Sequence, residues 1–161
     1  MRAAKALTGT VLLAEVDDAL ALAMARELQQ LGLEVHRVNT GKDAFEATCF
    51  RKPRPDLVVM EVLLPGLSGI EVALLLRDYE RRRHLPAVPV LGCSDLQRYQ
   101  THQAMLRAGM NAVVQKPLPH GRLVAIAAQL LKADELSKAR PLGPGAGKAP
   151  EPGMQTSMSA Q

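Results

Sequence analysis

The sequence predicts an α/β fold in which a parallel five-stranded sheet is covered by helices on both faces. Short apolar runs, bounded by Gly, Pro or acidic residues, alternate along the chain with longer segments whose apolar residues recur at helical spacing. The run at residues 57–62 is apolar apart from Glu61, as expected of a central strand that is buried on both faces. We therefore expect a doubly wound sheet with its functional side chains at the carboxyl ends of the strands.

The first two strand–helix pairs have recognisable ends. Strand one is expected over residues 10–16 and helix one over residues 17–31, with Gly32 as the helix stop. Strand two is expected over residues 33–38. Helix two is expected over residues 40–51, where a threonine supplies the cap and an aspartate follows three residues later.

The middle of the chain repeats this order. Strand three is expected over residues 57–62, and Ser68 is placed to cap a third helix that ends in the basic cluster at residues 81–84. Two prolines frame strand four, which is expected over residues 88–93.

The last elements follow the same alternation. Helix four is expected over residues 96–108, where Gly109 stops it, and strand five over residues 112–115. A Lys–Pro turn then leads into a fifth helix over residues 118–131.

Composition divides the chain into three parts. Residues 1–9 are expected to be a loose leader, and residues 10–132 to form the globular domain. Residues 133–161 are rich in Pro, Gly, Ala and Ser, so we expect them to form a disordered tail.

Composition also excludes several classes of function. The 161 residues carry a formal net charge of +4 that is scattered, which disfavours nucleic acid as the partner. The apolar runs are too short to span a membrane. Cys49 and Cys93 show neither a CxxC nor a metal-ligand spacing, so a reduced, cytoplasmic protein is expected.

Four short segments resemble the receiver domain of two-component response regulators. Residues 64–69 (Leu-Pro-Gly-Leu-Ser-Gly) are similar to the turn that follows the phosphoacceptor in that family. Residues 89–94 end in a serine at the family's hydroxyl position, residues 108–109 match the end of helix four, and residues 116–117 match the Lys–Pro signature. The resemblance covers residues 10–132.

The resemblance implies a CheY-like, flavodoxin-like (βα)5 fold with strand order 2-1-3-4-5, in a stand-alone signalling protein that is not an enzyme. It also assigns the residues of the site. The acid pair falls on Glu15 and Val16, the phosphoacceptor on Glu61, the hydroxyl on Ser94, the lysine on Lys116, and the switch aromatic on Val113.

Three of these positions depart from the family pattern. Glu61 stands where an aspartate accepts the phosphoryl group, and its side chain is one methylene longer. Val16 stands where a carboxylate binds Mg²⁺, and Val113 replaces the switch aromatic. We therefore expect a degenerate pocket that binds no Mg²⁺ or other cofactor and is not phosphorylated in the usual way.

A second register of the acid pair was weighed, in which Asp17 and Asp18 supply the metal ligands. It requires two residues to be deleted from helix one, which rotates the helix's apolar face by about 200°. Without the deletion the apolar spacing stays in phase and Gly32 falls where the helix must stop. Asp17 or Asp18 is then expected to cap helix one.

Within the pocket we expect the Glu61 carboxylate to pair with Lys116 and to accept a hydrogen bond from Ser94. Such an arrangement partly imitates the phosphorylated state, but a carboxylate lacks the charge and the three acceptor oxygens of a phosphoryl group. An inert scaffold is favoured over a fixed "on" state, because coupling needs a two-state element that the sequence does not contain.

The sequence thus predicts an adaptor that binds a histidine kinase or another signalling protein. The alternatives are a regulator that is phosphorylated with the help of Asp17 and Asp18, and a flavodoxin-like nucleotide-binding protein. The latter is disfavoured because no Gly-rich phosphate loop follows strand one. Nucleic-acid binding through residues 81–83 and binding of a small molecule are likewise not expected.

Overall fold

The computed structural model describes residues 6–139, which form a five-stranded parallel sheet in the order β2-β1-β3-β4-β5. Strands and helices alternate along the chain as the sequence predicts, and the predicted fold class is confirmed. The strands are β1 (Thr10–Ala14), β2 (Glu34–Val38), β3 (Leu57–Glu61), β4 (Val90–Ser94) and β5 (Ala112–Gln115). The helices are α1 (Asp18–Gln30), α2 (Gly41–Phe50), α3 (Gly69–Arg82), α4 (Tyr99–Arg107) and α5 (Arg122–Ala139).

Each face of the sheet carries its own hydrophobic core, because successive side chains of a strand point to opposite faces. Leu12 and Met60 point toward α2, α3 and α4, whereas Leu13 and Val59 point toward α1 and α5. The central strand β3 is buried along its whole length, which explains why its sequence is a continuous apolar run rather than an alternating one.

The amino-terminal boundary differs from the prediction. Residues 6–9 are not a loose leader, because the Leu7 N–H donates to the Leu31 carbonyl at 2.8 Å and the Gly9 carbonyl accepts from the Glu34 N–H at 2.9 Å. The Leu7 side chain also packs against the core beneath α1 and α5. A short apolar segment that follows the edge of the sheet is therefore part of the domain. Residues 1–5 lie outside the described residues.

The carboxyl-terminal boundary also differs. The prediction ended the fifth helix at Leu131 and began a disordered tail at residue 133, but α5 continues to Ala139. Good helix formers fill this extra length, and Lys138 pairs with Asp134 one turn earlier at 2.6 Å. The position at which the composition changes therefore does not coincide with the end of α5. The rest of the predicted tail, residues 140–161, lies outside the described residues.

Two glycines fix the loop that joins β3 to α3. Ser68 caps α3 in a reciprocal capping box with Glu71, and the next residue, Gly69, lies so close to β3 that a Cβ there would overlap the Glu61 carbonyl oxygen. Gly41, at the start of α2, donates its N–H to the Pro65 carbonyl at 3.2 Å. The loop after Glu61 is thereby held against both helices.

No helix in the described part of the chain is long and apolar enough to cross a membrane.

We predict that Gly69→Ala lowers the free energy of unfolding by about 1–3 kcal/mol, since the added methyl group meets backbone that no side-chain rotation can move. Gly92→Ala is the matched control, because a Cβ there would meet only the flexible side chains of Met105 and Met110. Urea unfolding followed by circular dichroism compares the two. An equal loss in both variants would contradict the close approach of Gly69 to β3.

Candidate functional site

Four polar side chains meet at the carboxyl edge of the sheet. Glu15 directly follows β1, Glu61 ends β3, Ser94 ends β4, and Lys116 directly follows β5. Their strands lie side by side in the order β1-β3-β4-β5, and the Lys116 N–H donates to the Ser94 carbonyl at 2.8 Å. This edge is where open α/β sheets place their functional groups, and the topology alone brings the four residues together.

Lys116 lies between the two carboxylates. Its Nζ is 2.5 Å from Glu15 Oε2 and also pairs with Glu61 Oε2. Glu15 is 3% exposed and Glu61 is 5% exposed, so both negative charges are removed from water. A buried carboxylate without a cation is strongly destabilising, and Lys116 supplies that cation to both. The pairing of Glu61 with Lys116 was predicted, whereas that of Glu15 with Lys116 was not.

The second oxygen of each carboxylate is bound by the backbone. Glu15 Oε1 accepts from the Asp17 N–H at 3.1 Å, and Glu61 Oε1 accepts from the Leu63 N–H at 3.0 Å. Each carboxylate is therefore fixed by the ammonium on one side and by its own following loop on the other. Hydrogen bonds of this kind orient a carboxylate.

The surroundings of Lys116 favour its charged form. Burial acts to lower the pKa of Lys116, but the hydrogen bonds to Glu15 and Glu61 and the charges of these two groups raise the pKa above its ordinary value. The ammonium is thus fully charged at neutral pH and stays fixed in the pocket.

Arg37, at the edge strand β2, holds the loop between β1 and α1. Its Nε and Nη2 donate to the Glu15 carbonyl at 3.1 and 2.9 Å, and its Nη2 also donates to the Val16 carbonyl at 3.0 Å. Its Nη1 donates to Asp18 Oδ1 at 2.6 Å. The sequence analysis missed this residue. An arginine one position before the end of an edge strand, beside an acidic loop, is the signal that could have indicated it.

The two acids of the alternative register bind elsewhere. Asp17 caps α1, where its Oδ1 accepts from the Leu20 N–H at 2.8 Å, as the ungapped register predicts. The Asp18 side chain is 90% exposed and pairs with Arg37. Neither carboxylate is among the contacts of Glu61 or Lys116 in the described residues. The geometry therefore favours Glu15 and Val16 as the residues at the acid-pair positions.

Ser94 differs from its predicted role. It is fully buried, and its Oγ accepts a hydrogen bond from the Leu96 N–H at 3.0 Å instead of donating one to Glu61. This hydrogen bond lies before α4, which begins at Tyr99 and not at residue 96 as predicted. Val113 on β5 is partly buried and packs against the core beneath α2, α3 and α4.

The residues at this edge do not suit a magnesium ion. Mg²⁺ requires oxygen ligands in near-octahedral geometry, but here the Lys116 ammonium already lies between Glu15 and Glu61. Val16 offers no side-chain oxygen and is 44% exposed. Over residues 6–139, no three His, Cys, Asp or Glu side chains are grouped so that they could hold a metal ion.

Comparisons with known proteins agree with the fold. The family model of the response regulator receiver domain matches residues 11–128. The polar-differentiation response regulator DivK of Brucella ovis is 29% identical over 119 residues, covering 73% of this chain and 92% of that protein.

Two solved structures extend the comparison. The receiver domain of a sensor histidine kinase from Pseudomonas aeruginosa, determined with a magnesium ion coordinated in its active-site cleft, superposes with a TM-score of 0.68 at 25% identity. The superposition covers 78% of this chain and 99% of the Pseudomonas chain. The Francisella response regulator 1452 receiver domain gives a TM-score of 0.68 at 22% identity over 78% and 98% of the two chains, a likeness of fold alone.

We predict that Lys116→Met lowers the free energy of unfolding by about 3–5 kcal/mol, because it leaves two buried carboxylates without a cation. The control is Lys42→Met. Lys42 is 78% exposed and lies 3.8 Å from Glu46, so its loss should cost less than about 1 kcal/mol. The double variant Lys116→Met/Glu61→Met should recover part of the stability. Urea unfolding measures all three, and equal losses in the two single variants would contradict the pairing.

We also predict that the Lys116 ammonium titrates above the ordinary pKa of a lysine. Because its pKa is raised in the folded state, the stability that it contributes is present in full below the ordinary lysine pKa and is lost as pH rises through the raised pKa. Carbon-13 NMR of the lysine side chains measures both Lys116 and Lys42. Glu15→Gln removes one hydrogen-bond acceptor and should shift the Lys116 pKa downward while leaving that of Lys42 unchanged.

Proposed function

The chain belongs to the response regulator receiver domain family, and on that premise we propose that it acts in two-component signalling by protein–protein contact without being switched by phosphorylation. Receiver domains are signalling proteins and not enzymes in general, so a binding role agrees with the family. The observation that supports this proposal is the Lys116 ammonium, which bridges the buried carboxylates of Glu15 and Glu61 at the carboxyl edge of the sheet.

Phosphoryl transfer to a carboxylate needs a free oxygen in line with the donor and a cation that neutralises the phosphoryl oxygens. Neither oxygen of Glu61 is free, since Oε2 pairs with Lys116 and Oε1 accepts from the Leu63 N–H. The longer side chain of glutamate also carries its carboxylate further from β3 than an aspartate would. With Val16 in place of a liganding acid, we propose that the pocket takes up neither Mg²⁺ nor a phosphoryl group.

Two contacts favour an inert scaffold over a permanently active state. In the proposed pocket Glu61 reaches Lys116, which is half of what a phosphorylated acid would contact. The other half is missing, because Ser94 makes no hydrogen bond to Glu61 in the described residues and Val113 is an aliphatic residue that packs into the core. We infer that a carboxylate that contacts Lys116 but not Ser94 does not shift the β4–α4 region between two arrangements.

We propose that the partner is a histidine kinase or another protein of a two-component pathway, and that the chain occupies that partner in competition with phosphorylatable receivers. Cytoplasmic placement remains a prediction, supported by the family and by the reduced state expected of Cys49 and Cys93. No DNA-binding role is proposed.

We predict that incubation with acetyl phosphate and Mg²⁺ leaves the intact mass of the chain unchanged. The variant Val16→Asp/Glu61→Asp should gain one phosphoryl group, because it restores a metal ligand and shortens the acceptor so that Lys116 is released from it. The single variants Val16→Asp and Glu61→Asp are the controls and should gain little. Stable incorporation into the unaltered chain would reject the proposal and revive the alternative that uses Asp17 and Asp18.

We further predict that Mg²⁺ leaves the amide NMR signals of Glu15, Val16 and Asp17 unchanged in the natural chain and shifts them in the double variant. Ca²⁺ at the same ionic strength controls for a general salt effect. Shifts in the natural chain that saturate with Mg²⁺ would show that Lys116 yields its position to the ion, and the proposed pocket would then be wrong.

A further inference from the structure

An open groove lies between α2 and α3, toward the opposite edge of the sheet from Glu61. Its volume is about 430 Å³, and its lining is formed by Phe45, Leu75, Asp78, Tyr79, Arg82 and Arg83. The helices run antiparallel to the strands, so the carboxyl ends of α2 and α3 lie far from the acidic pocket. The groove lining therefore shares no residue with the pocket around Glu61.

The groove has an aromatic cluster for its floor and flank. Phe45 and Tyr79 line the groove, and Phe50 contacts both of their rings, with the three rings edge to face at centroid distances of 5.9, 6.1 and 5.7 Å. These are three of the four aromatic residues of the chain. Phe50 is nevertheless 56% exposed, and Leu75 in the groove lining is 44% exposed. A rigid apolar surface that is left open to water marks an interaction site more often than a scattered apolar residue does.

The rim of the groove is basic. Arg82 and Arg81 both pair with Asp78, at 2.7 and 2.6 Å, so two arginines share a single carboxylate. Arg83 lies 4.8 Å above the Tyr79 ring, and within residues 6–139 it pairs with no carboxylate. The rim therefore keeps an excess of positive charge beside the apolar floor.

We propose that this α2–α3 groove binds an acidic amphipathic helix of a partner protein. The apolar face of such a helix would cover Phe50 and Leu75, and its flanking carboxylates would pair with Arg82 and Arg83. A second copy of this chain fits less well, since a symmetric contact brings the arginines of both copies together. Nucleic acid fits less well too, because Asp78 lies in the groove lining, where it repels phosphate.

The test uses the full chain and a displayed library of helical peptides with Leu at positions i, i+3, i+4 and i+7 and with acidic or basic residues at equal frequency elsewhere. We expect selection to enrich the acidic peptides. Binding of an enriched, fluorescently labelled peptide should weaken about tenfold or more in Leu75→Glu and in Arg83→Glu. Leu22→Glu is the matched control, because Leu22 on α1 is 53% exposed on a different face.

A charge exchange makes the test specific. The same peptide with lysines in place of its acids should bind Arg83→Glu better than it binds the natural chain, which a general loss of folding cannot produce. Circular dichroism checks that each variant is folded. No enrichment of acidic peptides, or equal binding by Leu75→Glu, would overturn the proposal. DNA binding or self-association that is lost in Arg83→Glu would equally overturn it and assign the groove to nucleic acid or to a second copy.

Discussion

The arrangement of the site depends on one partly buried cation between two buried anions. Without Lys116, the ends of β1 and β3 would carry two carboxylates that are shielded from water and face each other, a combination that folded proteins avoid. With Lys116, the carboxyl ends of β1, β3 and β5 are joined across the sheet by charge as well as by backbone hydrogen bonds. The same contact that stabilises this edge also places an ammonium group between its two buried acids.

The groups around this triad add to its rigidity. Arg37 holds two successive carbonyls of the β1–α1 loop, Leu63 and Asp17 bind the second oxygens of the two glutamates, and Leu96 engages Ser94. Each of these bonds is satisfied within the neighbouring loop and does not require a ligand. A switch needs two arrangements of similar energy, and these contacts support the proposal that the pocket keeps one arrangement.

Features of the fold that follow from the pattern of burial are predicted well from the sequence. The β3 run and the spacing of α1 predict the sheet and the register of Glu15, because apolar periodicity reports which faces are covered. Side-chain partners are harder to predict. The contacts of Lys116 with Glu15, and of Arg37 with the β1–α1 loop, join residues far apart in the chain and depend on side-chain rotamers. The ends of the domain are also harder to predict. The composition changes before α5 ends, and Leu7 packs on the core although it lies in an irregular segment.

The loop after Glu61 is held by Gly41 on one side and by Gly69 on the other, and neither position has room for a side chain. A loop that is held in this way favours a single surface for a partner. Under the proposed role, in which phosphorylation does not switch the chain, the fraction of partner that is bound depends on how much of each protein the cell contains, relative to the dissociation constant. Regulation under that proposal passes from chemistry on the folded chain to its synthesis and degradation, so its copy number becomes the signal.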